Sequence, residues 1–270
     1  MKKVIYAFAL LAAVAAAFSG CKKDDDTKVV KRLVSCGDKW DVYSVSYNED
    51  GTINAVQRNW DEEKQYWEKE WLFTWEGKNA TAGYKEKGVK KGDKDCVFTF
   101  GDNGYLSTYA DHWGDTWAFT YDNGYLTKIV RSDKNPVLNK ATCVWENGNL
   151  VKWSRFVEKK DGDGNKVKDG NGNQVYEEEW KIQTFTTEKN TFGIFPDATD
   201  KADVQRWMFE VGFCGKASAN LLDQAAWEGS DKAAVHTYTK DADGYVTEVS
   251  KVYGTDEPEL YYYQWEKVEK

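Results

Sequence analysis

Five segments share one pattern of polar and apolar positions: a polar turn ending in Gly, then an aliphatic residue two places later. They are Tyr47-Asn48-Glu49-Asp50-Gly51-Thr52-Ile53, Phe100-Gly101-Asp102-Asn103-Gly104-Tyr105-Leu106, Tyr121-Asp122-Asn123-Gly124-Tyr125-Leu126, Trp145-Glu146-Asn147-Gly148-Asn149-Leu150 and Asp241-Ala242-Asp243-Gly244-Tyr245-Val246. An aromatic opens the first four. Asn-Gly and Asp-Gly between apolar stretches mark tight hairpins, whose central residues need a positive φ. Gly104, Gly124 and Gly148 lie 20 and 24 residues apart, the length of two strands and two turns. The pattern predicts an array of similar hairpins.

The alternation is imperfect. Leu106, Leu126, Leu150 and Val246 stand two places after their glycines, and the next apolar residues, Tyr109, Ile129, Trp153 and Val249, stand five places after. A strict period of two puts these sets on opposite faces. Either a bulge lies between them or the sheet is covered on both sides.

Two regions interrupt the array. Lys160-Asp161-Gly162-Asp163-Gly164-Asn165-Lys166-Val167 is almost copied by Lys168-Asp169-Gly170-Asn171-Gly172-Asn173-Gln174-Val175, which predicts a long solvated hairpin loop over 160–175. Asp161, Asp163, Asn165 and Asp169 match alternate positions of a calcium loop, but Lys166 and Gly172 stand where such a loop needs Gly and a bidentate Glu. They make a weak calcium candidate, and no metal or cofactor is expected. Over 196–228, Val204, Trp207, Met208 and Val211 recur at helical spacing after Asp200, and Leu221, Leu222, Ala225 and Ala226 do so after Ser218. The expected fold is therefore all-β: antiparallel repeated hairpins forming a large curved sheet or a closed barrel-like array, with two short helices near 199–227.

The start of the chain is of another kind. Met1-Lys2-Lys3, an apolar run from Val4 to Phe18 and Ser19-Gly20-Cys21 form a signal-peptide pattern over residues 1–20. The run of about fifteen residues is short for a membrane span, which takes roughly twenty. Phe18-Ser19-Gly20-Cys21 resembles the lipobox of lipoproteins, with Phe where Leu is usual, and implies acylation of Cys21. Lys23, Asp24, Asp25 and Asp26 resemble the export signal of Bacteroidetes surface lipoproteins. These features divide the chain into a signal (1–20), a lipidated Cys with a flexible charged tether (21–39) and one β domain (40–270). They place it at the outer membrane, facing outward.

Removing residues 1–20 takes away two lysines and no acid, moving the net charge from −8 to −10. Such a balance lacks the basic footprint that nucleic acid requires, so no nucleic-acid partner is expected. Cys36, Cys96, Cys143 and Cys214 stand singly, without zinc-site spacing; they permit two disulfides in three connectivities, or buried free thiols.

The lipobox, the acidic leader, the glycine turns and Gly215-Lys216-Ala217-Ser218-Ala219-Asn220-Leu221-Leu222 with Asp243-Gly244-Tyr245-Val246-Thr247 together resemble an uncharacterised Bacteroidales lipoprotein domain family of porin-like β fold, over most of residues 40–266. The turns are also similar to the Tyr-Asp repeats of Rhs-type shell proteins. The resemblance implies a fold and no active site.

Thirteen tryptophans make recognition the favoured function. Trp60, Trp67, Trp71, Trp113, Trp117 and Tyr262 are candidates for stacking on sugar rings, if they are not core. The alternative is a structural or protein-interaction component of the envelope. A carboxylate-based hydrolase ranks last: His112 and His236 are the only histidines, neither lies in a nucleophile motif, and no catalytic residue is assigned.

Overall fold

The computed structural model describes residues 30–62, 65–132, 140–197 and 204–268. The expected signal, Cys21 and the export residues Lys23, Asp24, Asp25 and Asp26 lie outside them. The described residues form seventeen strands: β1 (Val30–Gly37), β2 (Asp41–Tyr47), β3 (Ile53–Glu62), β4 (Gln65–Glu76), β5 (Asn79–Glu86), β6 (Val89–Lys90), β7 (Cys96–Phe100), β8 (Leu106–Ala110) and β9 (Thr116–Asp122). They continue with β10 (Tyr125–Ser132), β11 (Lys140–Glu146), β12 (Asn149–Glu158), β13 (Tyr176–Lys189), β14 (Asn220–Trp227), β15 (Ala234–Lys240), β16 (Val246–Tyr253) and β17 (Glu259–Val268). Among the described residues one helix, α1 (Arg206–Glu210), lies between β13 and β14.

Successive strands pair antiparallel, β1 pairs with both β2 and β17, and β7 rather than the two-residue β6 carries the sheet onward from β5. The result is a closed barrel of sixteen strands. Closure leaves no unpaired sheet edge. β1 begins within the stretch expected to be tether, so the domain starts by Val30 rather than at residue 40. Those residues form a strand because their backbone groups complete the seam between β17 and β2.

Every second connection falls on the same rim, and all five glycine turns are there. We call it the repeat rim; Val30 and Val268, paired with each other, also lie on it. The opposite rim carries the turns 38–40, 87–95, 111–115, 159–175, 228–233 and 254–258.

A bulge resolves the imperfect alternation. In all five repeats the register skips one residue three places after the glycine: Asn54, Ser107, Thr127, Val151 and Thr247. The extra residue turns the following side chains by one position, so Ile53, Leu106, Leu126, Leu150 and Val246 point inward together with Val56, Tyr109, Ile129, Trp153 and Val249. All ten are buried. The carbonyl before a bulge leaves the ladder, and aromatics nearby take it up. Trp75 Nε1 donates to Ile53 O (2.7 Å), Tyr121 Oη to Leu106 O (2.8 Å), Trp145 Nε1 to Leu126 O (2.7 Å) and Trp265 Nε1 to Val246 O (2.7 Å). Tyr47 and Tyr238 do the same for Leu33 and Leu222, which also precede bulges. Each contact ties one hairpin to its neighbour and satisfies an otherwise orphaned buried acceptor.

The same device explains the second expected helix, which is strand β14. A bulge at Asp223 spaces Leu222 and Ala225 three apart on one face, imitating a helical period. Ser218, expected to cap that helix, instead accepts from Leu150 N through its Oγ (3.1 Å).

The barrel is filled. Inward side chains from most of the ring join Ile194, Val204, Trp207, Met208, Phe209 and Phe213 in one apolar cluster. Its outer wall is polar at mid-height: Ser44, Gln57, Glu70 and Lys85 lie side by side across β2–β5, and Thr120, Lys128 and Thr142 across β9–β11. A hydrocarbon-facing barrel has an apolar band there, and each outward Lys at the midplane costs about 2–4 kcal/mol.

Candidate functional site

Residues 190–197 leave the repeat rim and enter the lumen, and residues 204–219 run from the lumen back along the rim. Inside, all five residues of α1 are buried. Trp207 is fully enclosed, with ring centroids of Trp71, Phe73, Phe98 and Phe213 at 5.6–6.1 Å. Two polar nodes hold the insertion. At its entry the Asp197 carboxylate accepts from Lys181 Nζ (2.6 Å), Gln183 Nε2 (2.9 Å) and Trp153 Nε1 (3.3 Å). Deeper, Glu210 Oε1 accepts from Arg206 (3.3 Å) and Tyr263 Oη (3.1 Å), and Arg206 stacks on Tyr261 at 3.9 Å. Burial raises the Glu210 carboxyl above its ordinary value, opposed by the Arg206 charge.

The return is laced to successive hairpins. Leu106 N donates to Phe213 O (2.8 Å), Lys216 N to Gly124 O (2.9 Å) and Ala219 N to Gly148 O (2.8 Å). Contacts therefore recur every three residues. Three extended residues span about 10 Å, and two strand spacings also come to about 10 Å, so one strap residue in three meets each hairpin. At the far side Phe192 stacks on Tyr245 at 3.5 Å. The insertion thus seals the repeat rim.

Gly148 matters twice: its φ is +78°, and a Cβ there would stand 3.2 Å from the Ala219 Cβ. Gly51 has the same backbone strain, with φ +85°, but open space around it. Gly148→Ala is expected to lower stability more than Gly51→Ala, which carries only the left-handed penalty of about 1–2 kcal/mol. Urea unfolding of both variants checks this; equal losses would deny the strap its close contact.

A cleft beside the insertion's entry, lined by Gln183, Asn190, Ile194, Phe195, Asp197 and Leu221 among others, has a volume of ≈ 30 Å³. That is room for about one water, against roughly 300–1,000 Å³ for a small-molecule pocket. Among the described residues no three His, Cys, Asp or Glu side chains gather as a metal site. Asp161 and Asp169 sit in two equal turns, where Oδ1 of each accepts two amides of its own turn, from Asp163 and Asn165 and from Asn171 and Asn173. The calcium candidates are thereby divided between two self-capped turns. His236 is buried, which pushes its pKa down to about 4 and keeps it neutral. His112 is half-buried, stacked on Tyr84 at 3.9 Å, and its pKa is lowered by desolvation. Cys36, Cys96, Cys143 and Cys214 are buried; burial raises the thiol of the first well above its usual range and that of the second to about 11.

The sugar-stacking candidates separate. Trp71 and Trp117 are core residues, 3% and 4% exposed, because their strand positions point into the lumen. They are unavailable for stacking. Trp113 and Tyr262 are exposed, at 72% and 44%. The backbones of Trp60 and Trp67 pair across β3 and β4; their side chains lie outside the described residues. Sequence reasoning missed Trp40, 51% exposed in the β1–β2 turn; its signal was the preceding Gly37-Asp38-Lys39.

A closed, all-antiparallel barrel of this kind has solved counterparts. A porin-like protein from Bacteroides uniformis superposes with a TM-score of 0.59 at 16% identity, covering 87% of this chain and 98% of that one. Another, from Bacteroides vulgatus, gives a TM-score of 0.46 at 12% identity with the same coverage. No protein-family model and no curated protein matches. The fold is porin-like and β-barrel, as the resemblance implied.

Proposed function

We propose that the protein is a non-catalytic recognition module of the cell envelope, held at the outer membrane by acylated Cys21 and presenting its opposite rim outward. The observation that carries this is polarity. The chain enters the barrel at the repeat rim, nine residues after Cys21, a tether of at most about 30 Å. Most of the exposed large apolar side chains stand toward the other end: Trp40, Val89 and Trp113 in opposite-rim elements, and Val97, Val235 and Tyr262 within four residues of strand starts on that rim, against Leu72 and Val144 nearer the repeat rim. Exposed apolar groups away from the anchor favour partners over lipid. The polar outer wall supports a water-facing barrel, and the filled lumen opposes a channel. Exposed aromatics favour glycans as ligands, and Lys23 with Asp24–Asp26 favours the cell exterior.

An epitope inserted in the 160–175 loop is expected to be detected on whole cells, and one in the 48–52 turn to be shielded until lysis. Cys21→Ser is expected to release the protein from membranes. Equal shielding of both epitopes, or membrane retention of the serine variant, would overturn the proposal.

A further inference from the structure

Inward positions change character toward the opposite rim. Asp41, Arg58, Lys69 and Glu86 each stand two places beyond a buried residue of β2–β5, and so point inward. Asp115, Arg131, Arg155, Glu179 and Lys251 do the same on β9, β10, β12, β13 and β16, and Glu259 stands four places beyond Tyr263 on β17. They form five cross-strand ion pairs. Arg58 is bidentate on Asp41, at 2.6 and 2.9 Å. Arg131 meets Asp115 at 2.6 Å, Arg155 meets Glu179 and Lys251 meets Glu259 at 3.0 Å, and Lys69 meets Glu86 at 3.5 Å. Arg58 and Lys69 are partners in register across β3 and β4, which joins two pairs into one row. Four of the cations lie over aromatic rings: Arg58 over Tyr43, Arg131 over Trp117, Arg155 over Trp227 and Lys251 over Tyr253, at 3.9–5.5 Å.

Water reaches these pairs. Their side chains are 14–54% exposed, unlike the enclosed Lys181–Asp197 pair. The 87–95 and 159–175 loops continue beyond the ring, so the pairs line a recessed mouth above the filled lumen. Five cations face five carboxylates there, and an ionic ligand meets as much repulsion as attraction. An uncharged ligand with many hydroxyls meets none. Each pair keeps donors and lone pairs beyond those its partner takes, and hydrogen bonds to charged groups are the strong ones. We infer that the mouth is a binding site for a neutral glycan, in which vicinal hydroxyls accept from the cation and donate to the carboxylate of one pair. The inference rests on the recognition reading above. Side chains already held by a partner and by a ring beneath lose little conformational entropy on binding.

Titration calorimetry of the full-length protein in a sugar-free detergent tests the site. Dextran, mannan and galactan are the neutral probes, polygalacturonate the anionic one, and polyethylene glycol the control without hydroxyls along its chain. At least one neutral polysaccharide is expected to bind more tightly than polygalacturonate and polyethylene glycol, with little change as salt is raised. Arg58→Met with Asp41→Leu, and Arg155→Met with Glu179→Leu, each remove one pair without changing the net charge, and each is expected to weaken binding at least tenfold. Lys85→Met with Glu70→Leu removes a pair of the outer wall, 3.1 Å apart, and is expected to leave binding unchanged. The two mouth variants lie on separate hairpins, so either reads the site if the other fails to fold, and melting curves tell which do. Wild-type affinity in a folded mouth variant, or an equal loss in the outer-wall variant, would overturn the site and leave glycan recognition standing. Failure of all three neutral polymers would overturn the inference, while the whole-cell epitopes report on the outward orientation separately.

Discussion

Asp197→Ala is expected to destabilise the protein by about 3–5 kcal/mol, the cost of stranding a buried charge without its partner. The Lys181 and Asp197 side chains are 8% and 3% exposed, and their charged atoms lie 2.6 Å apart. Removing the carboxylate leaves the lysine ammonium inside a barrel, and it also deprives Gln183 and the Trp153 indole of their acceptor. Replacing both partners by apolar residues separates the charge effect from lost packing. Lys181→Met combined with Asp197→Leu is expected to recover most of the loss, since a buried pair contributes little over a well-packed apolar pair. Equilibrium urea unfolding of the two single variants and the double reads this directly. A loss below about 1 kcal/mol in Asp197→Ala would mean that water reaches Lys181.

Trp207→Ala is the second large effect, about 3–5 kcal/mol, in line with truncation of a fully enclosed aromatic. The residue joins the insertion to the wall: Trp71 and Phe73 come from β4, Phe98 from β7 and Phe213 from the strap. Its Nε1 has no hydrogen-bond partner. Trp207→Phe therefore leaves a smaller void and removes an unsatisfied donor, and is expected to cost roughly half as much. Hydrogen exchange gives a second readout: the amides of Lys216 and Ala219, which bond to the repeat turns, are expected to lose protection in the alanine variant. Unchanged stability would show that the insertion is not part of the cooperative core.

The hairpin array was legible because its chemistry is local. A positive φ at Gly104, Gly124 and Gly148 is demanded within four residues, and glycine meets it. The bulges were half-legible. Apolar residues two and five places after each glycine implied a slip or a doubly covered sheet, and ten buried side chains decide for the slip. That slip also misled. Leu221, Leu222, Ala225 and Ala226 read as a helix because a bulge at Asp223 makes a strand imitate a period near 3.6. The candidate site was the least legible. Trp71, Trp113 and Trp117 look alike in the chain, yet two fill the lumen and one stands exposed, since exposure depends on where closure of the sheet puts each face.

By itself, then, the sequence determined the all-β class and the turn chemistry of the repeats. These are set by neighbours a few residues apart. Only the tertiary structure decided that the sheet closes, that β1 completes it, that residues 190–197 and 204–219 fill and seal the lumen, and that the exposed aromatics gather at the rim opposite the chain's entry. Each of those depends on contacts between groups far apart in the chain, such as Val30 with Val268 or Asp197 with Lys181, which local pattern does not encode.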